Sequence, residues 1–367
     1  MSGDILLVIV IATALAFDFT NGFHDTANVV ATSISTRAIG PKQAVALASL
    51  LNFAGAFISL KVAATVGKGF VDTGAVTTTV LFAGLVGAIV WNLITWASGL
   101  PSSSSHALIG GLVGAVIAAS GFSAVNGSGI FDTLILPAML APLVAFTAAG
   151  TSIVIAYRIV GRLRPGPVSH GFRLGQLASG GLLSLSHGTN DAQKTMGVIT
   201  LALIAHGNIA PDNFHVPDWV VICSATAISL GTFTGGWRII KTLGSRIINM
   251  DPAQGFAAQG AGAAAILAAS SVGYPLSTTH VISGGIMGAG AAKRFSAVRW
   301  GVAGNIVVAW VLTLPAAGAL GAGIYALATV FGSGVAGPIV ITLAMLAVLA
   351  AAFARRIRQA TPAPTTP

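Results

Sequence analysis

Two short polar stretches each place an aspartate among side chains that can bind a cation. G-F-H-D-T-A-N at 22–28 contains Asp25, and G-T-N-D-A-Q-K at 188–194 contains Asp191. Carboxylate, amide and hydroxyl oxygens are the ligands that hard cations such as Na⁺ prefer. The alternative is that each aspartate caps backbone N–H groups at a helix end. The candidate cation-binding residues are Asn21, Asp25, Asn28, Asn190 and Asp191.

A second pair of motifs combines a proline, a run of hydroxyl side chains and a histidine. These are P-S-S-S-S-H at 101–106 and P-L-S-T-T-H at 275–280. Proline favours the first turn of a helix, where backbone N–H groups are free and the helix dipole is positive. Such a helix end binds anions. The motifs therefore predict an oxyanion site, whereas the simpler interpretation is ordinary capping by Ser and Thr.

Titratable side chains near these motifs are candidates for carrying a proton or binding the transported ion. In an apolar environment, histidine is more often a hydrogen-bonded packing residue, and that interpretation stays open. The candidates are Asp18, His24, His106, His187 and His280.

The composition indicates that most of the chain is surrounded by lipid. Apolar residues make up 54% of the 367 residues and charged residues 7%, whereas soluble domains carry about 25% charged residues. Such a chain cannot cover a water-exposed surface, so the sequence predicts an all-α polytopic membrane protein. The net charge of +9 comes without basic stretches interleaved with aromatics, which argues against nucleic-acid binding. The single cysteine, Cys223, excludes an intramolecular disulfide.

The motifs occur twice, at similar separations. The second copies of the aspartate and hydroxyl motifs lie 166 and 174 residues after the first. Five basic clusters indicate the cytoplasmic loops, with Lys61 and Lys68 as the exceptions. The N-terminus is then outside the cell membrane and the C-terminus is cytoplasmic. Equivalent motifs approach from opposite faces, which is the inverted-topology repeat typical of secondary transporters.

The predicted architecture has about five spans in each half and one C-terminal span. The segments 21–36 and 188–205, which are apolar but rich in polar groups, are predicted to be re-entrant or broken helices. The predicted parts are a first repeat at 1–160, a basic cytoplasmic loop at 161–173, a second repeat at 174–325, an extra transmembrane helix at 326–354 and a cytoplasmic tail at 355–367.

At these motifs the chain resembles the inorganic phosphate transporter (PiT) family. N-G-F-H-D-T-A-N-V-V-A-T at 21–32 and H-G-T-N-D-A-Q-K-T-M-G at 187–197 carry the resemblance, which covers most of 4–325. It implies phosphate import by symport with H⁺ or Na⁺, an inverted-repeat fold and often a homodimer. The short loop between the halves is similar to that of bacterial and archaeal low-affinity permeases. The phosphate-binding residues that the resemblance implies are Ser103, Ser104, Ser105, Ser277, Thr278, Thr279 and Gln193.

Several alternatives stay open. Eukaryotic relatives carry intramembrane glutamates, where this chain has neutral residues such as Asn52 and Gln259, so the coupling ion is undecided. The carried species is free phosphate, with arsenate as a competitor, or a metal–phosphate complex. The rivals are a carrier or channel for another solute, such as sulfate or a divalent cation, and an intramembrane Ser/His hydrolase. A hydrolase needs one activated serine and one base, which leaves the duplicated motif unexplained. No enzyme activity, resident metal or cofactor is predicted.

Overall fold

The computed structural model describes residues 2–332 and 334–360, and the prediction of an all-α protein is confirmed there. The regular structure of these residues is helical, apart from an isolated bridge between Val71 and Val125. The α-helices are α1 (Ser2–Ser35), α2 (Pro41–Gly55), α3 (Lys61–Lys68), α4 (Thr78–Ser98), α5 (Ser104–Ser120), α6 (Gly127–Ile130), α7 (Leu136–Val160), α8 (Pro165–His206), α9 (Asp218–Thr234), α10 (Trp237–Lys241), α11 (Pro252–Ser271), α12 (Thr278–Lys293), α13 (Trp300–Thr329) and α14 (Ala336–Ala360).

The helices that carry the aspartate motifs are continuous, so the predicted breaks at 21–36 and 188–205 are wrong. Helix α1 has 34 residues and α8 has 42. The glycines of these motifs do not interrupt the helices. They allow neighbouring helices to pack closely. A Cβ atom at Gly22 would lie 2.3 Å from the carbonyl oxygen of Ile228, and one at Gly188 would lie 2.1 Å from that of Asn52. An unbroken helix also satisfies its own backbone groups, as lipid requires.

The breaks lie instead in the helices that pack against α1 and α8. Helix α2 ends at Gly55 and α3 begins at Lys61, while α9 is bent by 59° relative to the segment Trp237–Arg246. Gly235, at the second break, has φ +75°, a conformation that glycine adopts without steric cost. Helix α9 packs on α1, and α2 packs on α8.

Helices α1 and α8 run antiparallel to each other. At one end, His206 Nε2 lies 3.6 Å from Asp4 Oδ1. At the other end, the Thr36 hydroxyl donates to Gln176 Oε1 over 2.9 Å. The two aspartate motifs therefore lie at the same level, in the middle of the helix pair.

Each hydroxyl motif begins a helix that packs on the last long helix of the other half. Helix α5 packs on α13, and α12 packs on α7. A Cβ atom at Gly114 would lie 2.0 Å from the carbonyl oxygen of Gly318, and one at Gly288 would lie 2.0 Å from that of Phe146. The repeated glycines after each histidine thus allow backbone-to-backbone contact between the halves.

Several helices suit a membrane by length and composition. In the described residues, four are long and apolar enough to span a bilayer, and the bent pair of α9 with Trp237–Arg246 would make a fifth. Helix α5 is apolar but shorter, and the long α8 is rich in polar residues. The span count and the domain boundaries therefore stay predictions. Helix α14 extends to Ala360, and residues 361–367 of the predicted tail lie outside the described residues.

Candidate functional site

The first turns of α5 and α12 meet inside the protein. Ser103 caps α5 by accepting the backbone N–H of His106 over 3.2 Å, and Ser277 caps α12 by accepting that of His280 over 3.3 Å. The rings of His106 and His280 have centroids 4.8 Å apart. Two positive helix ends thus converge, and each cap hydroxyl keeps a proton to donate.

The threonine hydroxyls of the second motif contact polar groups of both halves. Asn28 Nδ2 donates to Thr278 Oγ1 over 3.1 Å and to Thr279 Oγ1 over 2.9 Å. The Thr278 hydroxyl also lies 3.4 Å from Asp191 Oδ2. Predicted cation-binding and phosphate-binding residues therefore share one hydrogen-bond network, and all are buried.

His24 connects Asp25 to the first hydroxyl motif. Its Nδ1 lies 2.7 Å from Asp25 Oδ1, and its Nε2 lies 3.3 Å from the Ser102 hydroxyl. The Ser104 hydroxyl is 3.5 Å from Nδ1. The Nε2 atom also lies 3.2 Å from the Thr95 hydroxyl on α4, which fixes the ring between two helices.

His187 contacts the second motif aspartate. Its Nε2 lies 3.0 Å from Asp191 Oδ2, and its Nδ1 lies 3.2 Å from Asn52 Oδ1 on α2. One ligand atom from each of Asp25, His187 and Asp191 falls within 4.8 Å of the other two. These three buried side chains are close enough to coordinate one cation.

Lys194 belongs to the second aspartate motif, but sequence reasoning assigned it no role in the site. It is 1% exposed, and its ammonium donates to the Asp191 carboxylate, to Ser105 Oγ over 2.5 Å and to the carbonyl oxygen of Leu276 over 2.9 Å. Its signal in the sequence was a lysine within an apolar segment, three residues after a motif aspartate.

Asp18 lies about two turns before Asp25 on α1 and is wholly buried. Neither carboxylate oxygen has a hydrogen bond of good geometry among the described residues. Its electrostatic neighbours are Thr195, Asp191 and Lys194, so the carboxyl belongs to the surroundings of the site.

Other predicted residues make contacts away from the hydroxyl motifs. Gln193 Oε1 accepts the backbone N–H of Val62 over 2.8 Å, which ties α8 to the start of α3. Asn190 donates to Ser270 Oγ over 2.8 Å at the end of α11. Asn21 is buried, and its Oδ1 has no hydrogen-bond partner among the described residues. The roles predicted for these three residues stay predictions.

His280 also differs from a simple oxyanion ligand. Its ring lies 4.1 Å from that of Trp310, centroid to centroid, and its Nδ1 lies 3.3 Å from the carbonyl oxygen of Ala138. Packing and hydrogen bonding to α7 and α13 thus account for much of its environment, whereas His24 and His187 contact the motif aspartates.

Comparison with known proteins gives this geometry a context. Residues 21–167 and 161–321 match the sequence model of the phosphate transporter family. The chain belongs to this family. It is 52% identical to a "Probable low-affinity inorganic phosphate transporter" of Mycobacterium tuberculosis over 322 residues, covering 88% of this chain and 77% of the relative. A protein of the same description from Bacillus subtilis is 46% identical over 320 residues, with 87% and 96% covered.

A solved structure agrees with the fold. The protein described as "The sodium-dependent phosphate transporter" superimposes with a TM-score of 0.77 at 26% identity, covering 89% of this chain and 99% of that one. The resemblance to phosphate transporters predicted from the motifs is therefore confirmed. Membership of this family makes the chain a phosphate-transporting membrane protein and not an enzyme, which removes the hydrolase interpretation.

Proposed function

We propose that this chain imports inorganic phosphate by symport with a cation, H⁺ or Na⁺. The supporting observation is the single buried network in which Asn28, Asp191 and Lys194 contact hydroxyls of both motifs. The oxyanion binds between the first turns of α5 and α12. Backbone N–H groups and the hydroxyls of Ser104, Ser105, Thr278 and Thr279 donate to it.

Coupling to a cation has an electrostatic cause in this arrangement. A phosphate at the hydroxyls of α5 and α12 would lie beside the Asp191 carboxylate, with Asp25 close behind. Like charges in a buried site repel strongly. A cation bound at Asp25, His187 and Asp191 removes that repulsion, so each ion raises the affinity for the other. The cation is cargo, released together with phosphate.

The proposed transport cycle uses an inverted repeat with the N-terminus outside and the C-terminus in the cytoplasm. The antiparallel course of α1 and α8 and the recurrence of one helix order in both halves support this arrangement. A site between two inverted halves can open to either face when one half rocks against the other.

Uptake of radiolabelled phosphate into proteoliposomes tests the proposal. Gradients of H⁺ and Na⁺ are imposed separately, and each is dissipated by its own ionophore. We expect one gradient to drive accumulation above equilibrium, arsenate to compete and sulfate not to compete. Uptake that stops at equilibrium under both gradients would contradict symport, and equal competition by sulfate would contradict a phosphate site.

A second candidate is that phosphate travels as a complex with a divalent metal. The observation in its favour is that Asp25, His187 and Asp191 can each offer a ligand atom to one ion. Chelation of divalent metals by EDTA should then abolish uptake at constant H⁺ and Na⁺ gradients, and Mg²⁺ or Mn²⁺ should restore it. Uptake that is insensitive to EDTA excludes this candidate.

A further inference from the structure

Lys194 and Asn28 occupy equivalent positions in the two halves. Each lies three residues after the motif aspartate of its half. Each side chain also reaches a hydroxyl of the opposite half at an equivalent position. Asn28 donates to Thr279, and Lys194 donates to Ser105. The two halves therefore share one contact pattern, made by a neutral amide in one half and by an ammonium in the other.

The atoms around the Lys194 ammonium form the type of ligand set that takes an alkali cation. They are a carboxylate oxygen of Asp191, the hydroxyl oxygen of Ser105 and the carbonyl oxygen of Leu276. Hard monovalent and divalent cations prefer such oxygens. The lysine ammonium is itself a compact point charge with three donors. It thus fills, in the second half, the position of a cation.

The first half has no corresponding fixed charge. Of the Asp, Lys and Arg side chains that the structure describes, four are buried, namely Asp18, Asp25, Asp191 and Lys194. The ammonium lies against Asp191, whereas Asp25 has the ring of His24 as its neighbour. Three carboxyls thus share one fixed positive charge, and Asp25 is left to be balanced by an exchangeable ion.

We propose that Lys194 is a tethered cation that takes the place of one transported cation in the second half of the site. This inference rests on the proposed function, since it concerns the ions that accompany phosphate. The ammonium offsets the Asp191 carboxylate in every step of the cycle and is never released. Phosphate binding then requires one mobile cation fewer than it would with asparagine at position 194.

The test is Lys194→Asn, which gives the second half the residue of the first. Phosphate binding is measured by calorimetry on purified protein at fixed pH, with choline replacing Na⁺ at constant ionic strength. Below saturation, each additional required ion makes affinity proportional to one further power of its concentration. We expect the slope of log Kd against log [Na⁺] to steepen by about one relative to the unchanged protein.

Lys61→Asn is the matched control. Lys61 also donates its ammonium to a backbone carbonyl, that of Ser271 over 2.7 Å, but it is exposed. Its loss should leave the slope unchanged. If Lys194→Asn does not fold, the same slope is measured on Lys194→Gln. The longer glutamine side chain extends closer to Ser105 than asparagine does.

A measurement without phosphate separates this inference from the proposed function. Na⁺ should raise the thermal unfolding midpoint of the Lys194 variant more than that of the unchanged protein, because the variant has one additional unfilled cation position beside Asp191. Failure of the unchanged protein to bind phosphate would count against the proposed function alone. A folded variant with an unchanged slope and no Na⁺ stabilisation beyond that of the unchanged protein would overturn the tethered cation, as would loss of phosphate binding at every Na⁺ concentration.

Discussion

The two motif aspartates have different partners and should respond differently to loss of charge. Asp191 pairs with the Lys194 ammonium, whereas Asp25 contacts the imidazole ring of His24. Asp25→Asn and Asp191→Asn should both abolish phosphate uptake. Only Asp191→Asn leaves a buried ammonium unpaired, which destabilises by about 3–5 kcal/mol in comparable ion pairs. Uptake assays and thermal unfolding of both variants check this expectation.

The double variant Asp191→Asn/Lys194→Met separates charge balance from transport. It should regain most of the stability lost in Asp191→Asn, since no buried charge is then unpaired. It should not regain uptake. Wild-type uptake by Asp25→Asn or Asp191→Asn would remove that aspartate from the site.

The hydroxyls of the two motifs should bind phosphate together. Ser104→Ala and Thr278→Ala each remove one donor, and we expect the binding free energy of phosphate and arsenate to weaken by about 1–3 kcal/mol, or roughly 5- to 150-fold in affinity. Calorimetry on purified variants measures the change. Ser98→Ala is the control, because the Ser98 hydroxyl donates to the Ile94 carbonyl of its own helix and is exposed. Unchanged affinity in both motif variants would show that these residues only cap their helices and do not bind phosphate.

The local spacing of polar residues was enough to predict the aspartates and hydroxyls of the candidate site. The contacts of Lys194 and Gln193 could not be predicted in the same way. Lys194 reaches Ser105 across 89 residues of sequence, and Gln193 reaches Val62 across 131. Which polar side chain points to which neighbour depends on the helix packing, and one sequence does not specify it.

Helix α8 approaches the backbone of α2 closely at Gly188, and one added methyl group there should disturb this packing. A Cβ atom at Gly188 would meet backbone atoms of Asn52, which cannot move aside as a flexible side chain would. Gly188→Ala should therefore destabilise by about 1–3 kcal/mol and displace Asp191 from its partners. Thermal unfolding measures the first effect and phosphate uptake the second.

Gly260→Ala provides the control for that substitution. Gly260 lies within α11, and a Cβ atom there would have no heavy atom within 4 Å. Alanine is favoured over glycine in a helix, so this variant should be neutral or slightly more stable. Equal stability of Gly188→Ala and Gly260→Ala would show that α2 and α8 can separate without cost.

The helices themselves were largely predictable from apolar runs and from the prolines that begin them. The breaks were not, because polar residues within a membrane helix can indicate either an interrupted backbone or side chains satisfied by neighbouring helices. In α1 and α8 the second explanation holds, since Asn28, Thr189 and Asn190 bond to other helices. The interruptions fall in α2–α3 and α9–α10, which have fewer polar groups.

The basic clusters predict the orientation of the whole chain in the bilayer. A reporter fused after Arg358 should be cytoplasmic, and one inserted near Gly207, after α8, should be external. Alkaline phosphatase and green fluorescent protein fusions give opposite signals on the two sides. Both reporters on one side of the membrane would contradict the inverted arrangement of the two halves.

The glycine contacts of α5 with α13 and of α12 with α7 interlock the two halves. Each half contributes a helix to the packing of the other, so neither can bury its glycine surfaces alone. One half without the other would leave these close-packing glycine surfaces uncovered. Two separate half-chains would have to exchange helices to fill the same grooves. In the single chain that exchange is intramolecular, so the two halves are always present at equal amounts.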